Sequence, residues 1–361
     1  MKNTYFFLAA CIIFLSINLA GCERKLTPDF STQDIEVGII ETRGNRSKSR
    51  IIFYNDKIEE IGDLPLPFAT VGGIFYIPLV SDNKLYVIPQ GYAKKKDERK
   101  ALEINLQDLS VNEYKIEQIA MNAIAADNDS IYTCNNLNGI SYINKCYKEN
   151  NVVKTIEIPK IYISNILYAN NKLYAFGTGG AKNGIMPAYL YLYSSDLELI
   201  DKIDISSYGT SQYRATEYHG DIYFTSLSDT EDKPTNIVSK FNDESKSIET
   251  IQLNEIRPLD VAVYDGRLFV THFNLVQNTG GGLSIYNLKT GELNYYKLEH
   301  GAAQMAVANN KIYILSDWKI YIYDIDKIEL IKSIEVNPMD NDFSYLSGMF
   351  VLEKYLYTCL N

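Results

Sequence analysis

Apolar residues recur along this chain in a short fixed pattern. A turn-forming pair comes first, then an aliphatic–aromatic pair, then a strand. The copies are Asn83-Lys84-Leu85-Tyr86, Asp129-Ser130-Ile131-Tyr132, Asn171-Lys172-Leu173-Tyr174, Gly220-Asp221-Ile222-Tyr223, Gly266-Arg267-Leu268-Phe269, Asn310-Lys311-Ile312-Tyr313 and Glu353-Lys354-Tyr355-Leu356-Tyr357. Successive aliphatic anchors (85, 131, 173, 222, 268, 312 and 356) lie 42 to 49 residues apart. A period near 45 fits one four-stranded blade of a radial β architecture. Asn170-Asn171, Asn309-Asn310, His219-Gly220 and Asp265-Gly266 supply the positive φ that two-residue hairpins need. Each anchor is therefore expected to open the second strand of a hairpin.

A second hairpin follows in each unit. Leu283-Ser284-Ile285-Tyr286-Asn287 leads through Lys289-Thr290-Gly291 into 293–298, and Ile320-Tyr321-Ile322-Tyr323-Asp324 leads into 330–336. Similar pairs begin near Ala101, Ile140, Leu190 and Ile237. Another copy, Ile51-Ile52-Phe53-Tyr54-Asn55 followed by 58–61, precedes every anchor, whereas nothing follows the anchor at 356. The N-terminal hairpin should thus complete the last blade and close a ring, which removes exposed sheet edges. The strand-like segment Glu36 to Thr42 is left over. It either adds an outer strand to the closing blade or marks a partial eighth blade. The expected fold is all-β, a seven-bladed β-propeller, with eight blades as the alternative. Nothing reads as a helix longer than two turns.

The aliphatic–Tyr–Val strand of Leu85-Tyr86-Val87 and the β-Asp-turn-β segment Ile320-Tyr321-Ile322-Tyr323-Asp324 resemble YVTN-type repeats of seven-bladed propellers. The likeness covers about residues 50 to 361 and lacks a fixed Asn or Gly after the aromatic. It implies architecture and says little of activity, since propellers host binding modules, scaffolds, lyases and quinone-dependent dehydrogenases.

Composition adds three constraints. Of 361 residues, 46% are hydrophobic, which leaves ample apolar surface for a core, and 29 are Tyr, a residue that favours half-buried strands. A net charge of −10 argues against a general nucleic-acid partner. At the N-terminus, Lys2 and an apolar run from Tyr5 to Leu19 end in Leu19-Ala20-Gly21-Cys22. This resembles the lipobox of bacterial lipoproteins, and the resemblance implies cleavage before Cys22 and lipidation of that residue. The boundaries expected are 1–21 signal peptide, 22–35 lipidated tether and 36–361 propeller. The implied location is extracytoplasmic, on a bacterial membrane. Cys134, Cys146 and Cys359 make no even set and no zinc spacing. They read as unpaired, buried thiols, although an exported protein permits a Cys134–Cys146 disulfide.

Chemistry is expected on the face where blades are entered and where second and third strands connect. Eight residues before each anchor the chain carries Asn165, Arg214, Asp260 and Gln304 in four successive blades, and Ile77, Ala123 and Gly348 in the others. A polar arc at one height would line the channel mouth. It would bind a small anionic or polar ligand with Arg214 as the charge, or hold channel water with Arg214 and Asp260 paired. His300 lies on a blade-entry loop of the same face, His272 ends a strand that reaches it, and His219 sits in a tight turn opposite. The run Lys94-Lys95-Lys96 reads as a solvated loop. The glycines at 177–180 and 279–282 read as flexible turns. Tyr92, Tyr208, Tyr213 and Trp318 offer rings for stacking on a sugar or peptide, and each alone reads rather as packing between blades. No nucleophile elbow, paired acidic motif or Cys/His dyad is found, and no cofactor or metal is expected. The function expected is a monomeric, membrane-anchored binding propeller that takes a small polar ligand or an envelope protein through its upper face. The alternative is an extracytoplasmic lyase or hydrolase using His300, Arg214 and Asp260.

Overall fold

In the first six copies the aliphatic–aromatic pair falls where the sequence pattern puts it, near the start of a second strand; the place expected for the seventh, at 356, is taken by Val37–Arg43. The second strands of blades 1 to 6 are Lys84–Val87, Ser130–Leu137, Lys172–Gly179, Asp221–Ser228, Arg267–Asn274 and Lys311–Ser316. Neighbouring strand residues point to opposite faces of a sheet. The aliphatic member therefore packs on the preceding blade and the aromatic member on the following one. Tyr86 and Ile131 share one apolar cluster, Tyr132 and Leu173 the next, then Tyr174 and Ile222, Tyr223 and Leu268, and Phe269 and Ile312. All ten are buried. The repeat exists because each second strand must bury both of its faces.

The computed structural model describes residues 29–43, 48–68, 70–72, 78–90, 99–339 and 344–353. Cys22 and the segment before it, Ile77, Tyr92, Lys94 to Lys96, Leu356 and Cys359 lie outside the described residues. Seven four-stranded antiparallel sheets form the ring, and Thr70–Val71 pairs with Pro89–Gln90 as a small extra ribbon. Among the described residues, helix is limited to 3-10 turns such as Thr32–Asp34 and Ser206–Tyr208, and no helix is long and apolar enough to cross a membrane.

N-terminal strands close the ring. The seventh sheet runs outward from Ser344–Val351 through Val37–Arg43 and Lys48–Tyr54 to Glu60–Leu66. Three of its strands, not two, thus come from the N-terminal side. The unplaced segment at 36–42 is the second strand of this blade, pairing Val37 with Val351 and Val37 with Tyr54. Its packing mirrors the repeat with one exchange. Val37 fills the aliphatic place against blade 6, but the aromatic place is Gly38. The Phe350 ring on the paired inner strand occupies that space, because a Cβ on Gly38 would lie 2.0 Å from it. Phe350 then joins Leu85 in the cluster between blades 7 and 1.

The turns follow their residues. Asp82-Asn83, Asn170-Asn171, His219-Gly220, Asp265-Gly266 and Asn309-Asn310 all have φ between 48° and 85°, as primed two-residue turns require. Third strands end in Asn105, Asn242, Asn287 or Asp324, or just before Asn55, and the side-chain oxygens of these residues accept backbone N–H groups of the next turn. Cys134 and Cys146 are free and buried, and they belong to clusters on opposite faces of blade 2. That arrangement keeps them from pairing. Burial pushes the Cys146 thiol up to about 11.

Candidate functional site in the channel

Seven innermost strands, among them Ile161–Ala169, Thr210–Tyr218, Pro258–Tyr264 and Gln304–Ala308, run from the blade-entry face to the tight-turn face. They enclose a cavity of about 330 Å³ lined by Asn165, Tyr168, Arg214, Thr216, Asp260 and Met305, with alanines from blade 2. Three residues expected in the polar arc therefore meet here. Gln304 does not line this cavity. It faces a separate depression on the blade-entry face, beside Trp318 and Tyr345.

The cavity lies lower than expected. Burial falls towards the tight turn along the inner strand of blade 5: Pro258 to Val261 are buried and Ala262 to Tyr264 only partly so. Likewise Gln212 and Tyr213 are buried, while 214–216 are half-buried. Tyr213, Leu259 and Phe273 pack together towards the blade-entry end of blades 4 and 5. The cavity lining reaches from mid-strand to the tight-turn end, at Ser81, Ala126, Tyr168 and Thr216, whereas the site was expected at the blade-entry mouth. Tyr213 is buried and packs between blades 4 and 5.

Neighbouring inner strands settle the polar groups differently. Asp260 Oδ1 accepts the Val261 N–H at 2.9 Å, and Oδ2 accepts the Met305 N–H of the next blade at 2.8 Å. Gln304 Oε1 accepts the Met349 N–H of blade 7 at 3.1 Å. These contacts tie blade to blade. In blade 7 the matching residue is Gly348, and a Cβ there would meet the Pro78 ring of blade 1 at 2.8 Å. Burial pushes the Asp260 carboxyl above its ordinary value, opposed by Arg214 and by the two N–H groups it accepts.

Arg214 is not satisfied in this way. Its Nε stands 3.6 Å from Asp260 Oδ1, an ion pair too long for a hydrogen bond. Its side chain is only 11% exposed, and the buried Nε and Nη2 have no hydrogen-bond partner. The guanidinium stacks 4.6 Å from the centre of the Tyr213 ring, which fixes its plane. A held, buried guanidinium with unused donors beside a cavity can bind a carboxylate, phosphate or other acceptor-rich group.

The histidines stand apart. His300 does not line the cavity. Its ring nitrogens lie 2.7 Å from Gly301 O and 2.6 Å from Tyr323 Oη, and it stacks on Tyr321. His272 is buried, with Ile256 O at 3.0 Å and Ser284 Oγ at 2.8 Å. Burial holds both below the ordinary histidine value. Among the described residues, no three His, Cys, Asp or Glu side chains cluster as metal ligands. The alternative site of His300, Arg214 and Asp260 does not assemble. The glycine runs are not flexible turns either. Gly177 and Gly179 lie in a second strand and Gly280 to Gly282 in a third. A Cβ on Gly281 would lie 1.9 Å from the His300 carbonyl, so close approach explains that glycine.

No family model matches the chain, and no curated protein matches its sequence. Solved structures do match in fold. A 6-phosphogluconolactonase-like propeller from Bacteroides uniformis is 12% identical, with a TM-score of 0.59 over 89% of this chain and 100% of the other. Apo AztD from Citrobacter koseri is 10% identical, with a TM-score of 0.52 over 88% of this chain and 98% of the other. At such identity the likeness shows the fold alone. The protein is a seven-bladed β-propeller closed by pairing Val37–Arg43 with Ser344–Val351 in one blade. Its channel holds a buried, incompletely paired arginine.

Proposed function

We propose that this chain is a lipid-anchored, extracytoplasmic binding protein whose channel cavity takes a small anionic or polar ligand at Arg214. Leu19-Ala20-Gly21-Cys22 supports the anchor. One observation carries the ligand site: Arg214 Nε and Nη2 are buried without acceptors beside a cavity of about 330 Å³. A buried donor left without a partner costs free energy, and a ligand acceptor removes that cost once the guanidinium turns these enclosed nitrogens toward the cavity. Asn165 and Thr216 add polar groups to the wall of the cavity.

Thermal unfolding of the full chain against a panel of small organic acids, sugar phosphates and nucleotides tests the site. At least one compound should raise the midpoint of the wild type and leave Arg214→Met unmoved. A panel with no Arg214-dependent shift overturns the reading. Labelled palmitate should enter the wild type and not Cys22→Ser, and equal labelling of both would remove the anchor.

A further inference from the structure

We infer that the cavity is entered from the tight-turn face and takes a small organic carboxylate with a short apolar body; this deepens the Arg214 reading and rests on it. Three observations converge.

The first is the gradient of exposure. On blades 4 and 5, Gln212, Tyr213 and Pro258 to Val261 are buried, and 214–216 and 262–264 are half-buried towards the tight turns. Tyr213, Leu259 and Phe273 pack together on the blade-entry side of Arg214 and Asp260. The lining ends at Ser81, Ala126, Tyr168 and Thr216, each within a few residues of a tight turn.

The second is the division of the wall. Asn165, Arg214 and Asp260 gather on blades 3 to 5, and Asp260 has both oxygens engaged by backbone N–H groups. Arg214 is thus the group with donors to offer. The wall from blades 1 and 2 is largely Leu79, Val80, Ala123, Ile124 and Ala125. A guanidinium fork on one side and aliphatic side chains on the other match a carboxylate joined to a small hydrocarbon part. A bare inorganic anion would leave the apolar wall uncovered.

The third is where the chain arrives. Val37 pairs with Val351, the last residue of an inner strand, so the N-terminal segment joins blade 7 at the tight-turn face. Thr32 Oγ1 donates to Gln107 O at 2.5 Å, just beyond the third strand of blade 1 on the same face. Cys22 precedes Thr32 by ten residues, a reach of at most about 35 Å. A lipid on Cys22 would hold the cavity mouth on the membrane side of the ring, where amphiphilic carboxylates concentrate.

Titration calorimetry of the full chain in a zwitterionic detergent, with butyrate, butyramide and inorganic phosphate as probes, tests both halves. Butyrate should bind at least tenfold more tightly than either other probe, and Arg214→Met should abolish that preference. Thr216→Trp, at the tight-turn end, should weaken or slow butyrate binding at least tenfold. Gln277→Trp, on the blade-entry face, should leave it unchanged. Ser81→Trp replaces Thr216→Trp if the latter fails to fold. Butyramide or phosphate binding as well as butyrate overturns the ligand class. Butyrate binding that the folded tight-turn variant leaves intact overturns the route of entry. Should butyrate fail while another compound of the wider panel shifts the wild type through Arg214, this inference falls and the proposed function stands. Should nothing act through Arg214, both fall.

Discussion

Blades 4 and 5 place Arg214 and Asp260 at matching points of neighbouring inner strands, 3.6 Å apart, with opposite outcomes. The Asp260 carboxylate accepts two backbone N–H groups, one of them across the blade boundary. The Arg214 guanidinium keeps two buried nitrogens without acceptors. A polar residue at this height can fasten a blade to its neighbour or remain available to a ligand. What decides is whether the adjacent strand presents a backbone N–H to it. Met305 and Met349 do so for Asp260 and Gln304. A guanidinium only donates, so an adjacent N–H cannot satisfy it.

If that distinction holds, deleting Asp260 has the largest effect. Asp260→Ala removes the acceptor of two N–H groups and leaves Arg214 with no carboxylate. The loss should be about 3 kcal/mol in equilibrium urea unfolding. Asp260→Asn keeps an acceptor oxygen and should lose less. A cost below about 1 kcal/mol for the alanine variant would mean that the inter-blade contact is not what holds these strands.

Gln304→Ala offers the same comparison without charge. It leaves the Met349 N–H without its side-chain acceptor, and the expected loss is about 1 kcal/mol by the same measurement. A loss as large as that of Asp260→Ala would make charge irrelevant to the fastening.

Much of this was open to reading in the chain itself. The aliphatic–aromatic pairs are readable because both faces of every second strand pack against a neighbouring blade, which fixes residue type at two adjacent places. The closing blade was harder to read. Its second strand carries Gly38 where the others carry an aromatic ring, and the missing volume comes from Phe350 on another part of the chain. A pattern search counts residues along one strand and cannot see that exchange. Counting back from the anchors brought Asn165, Arg214 and Asp260 to one cavity, because inner-strand register is nearly constant from blade to blade. It could not give the direction in which the cavity opens. That depends on side chains contributed by different blades, such as Tyr213 of blade 4 packed on Leu259 and Phe273 of blade 5. His300 was misplaced for a related reason: its loop turns the ring onto Tyr321 and Tyr323 of blade 6, away from the channel.

The smallest effect tests how far Asp260 depends on Arg214. The Asp260 carboxyl is raised by burial, so the fold favours its protonated form, and ionising it in place costs stability. That cost is present above the raised folded value. It is regained as pH falls through that value towards the ordinary one of 3.8. Arg214 lowers the folded value, so Arg214→Met should raise it further and widen the window. Relative to wild type, the variant should therefore be less stable at pH 8, by about 1 kcal/mol given the long ion-pair distance, and the deficit should be smaller at pH 4, close to the ordinary value of 3.8. Thermal unfolding of both proteins at the two pH values reads the difference directly. The same deficit at both would mean that Asp260 is held by Val261 and Met305 alone, and that the Arg214 charge is free for whatever enters the cavity.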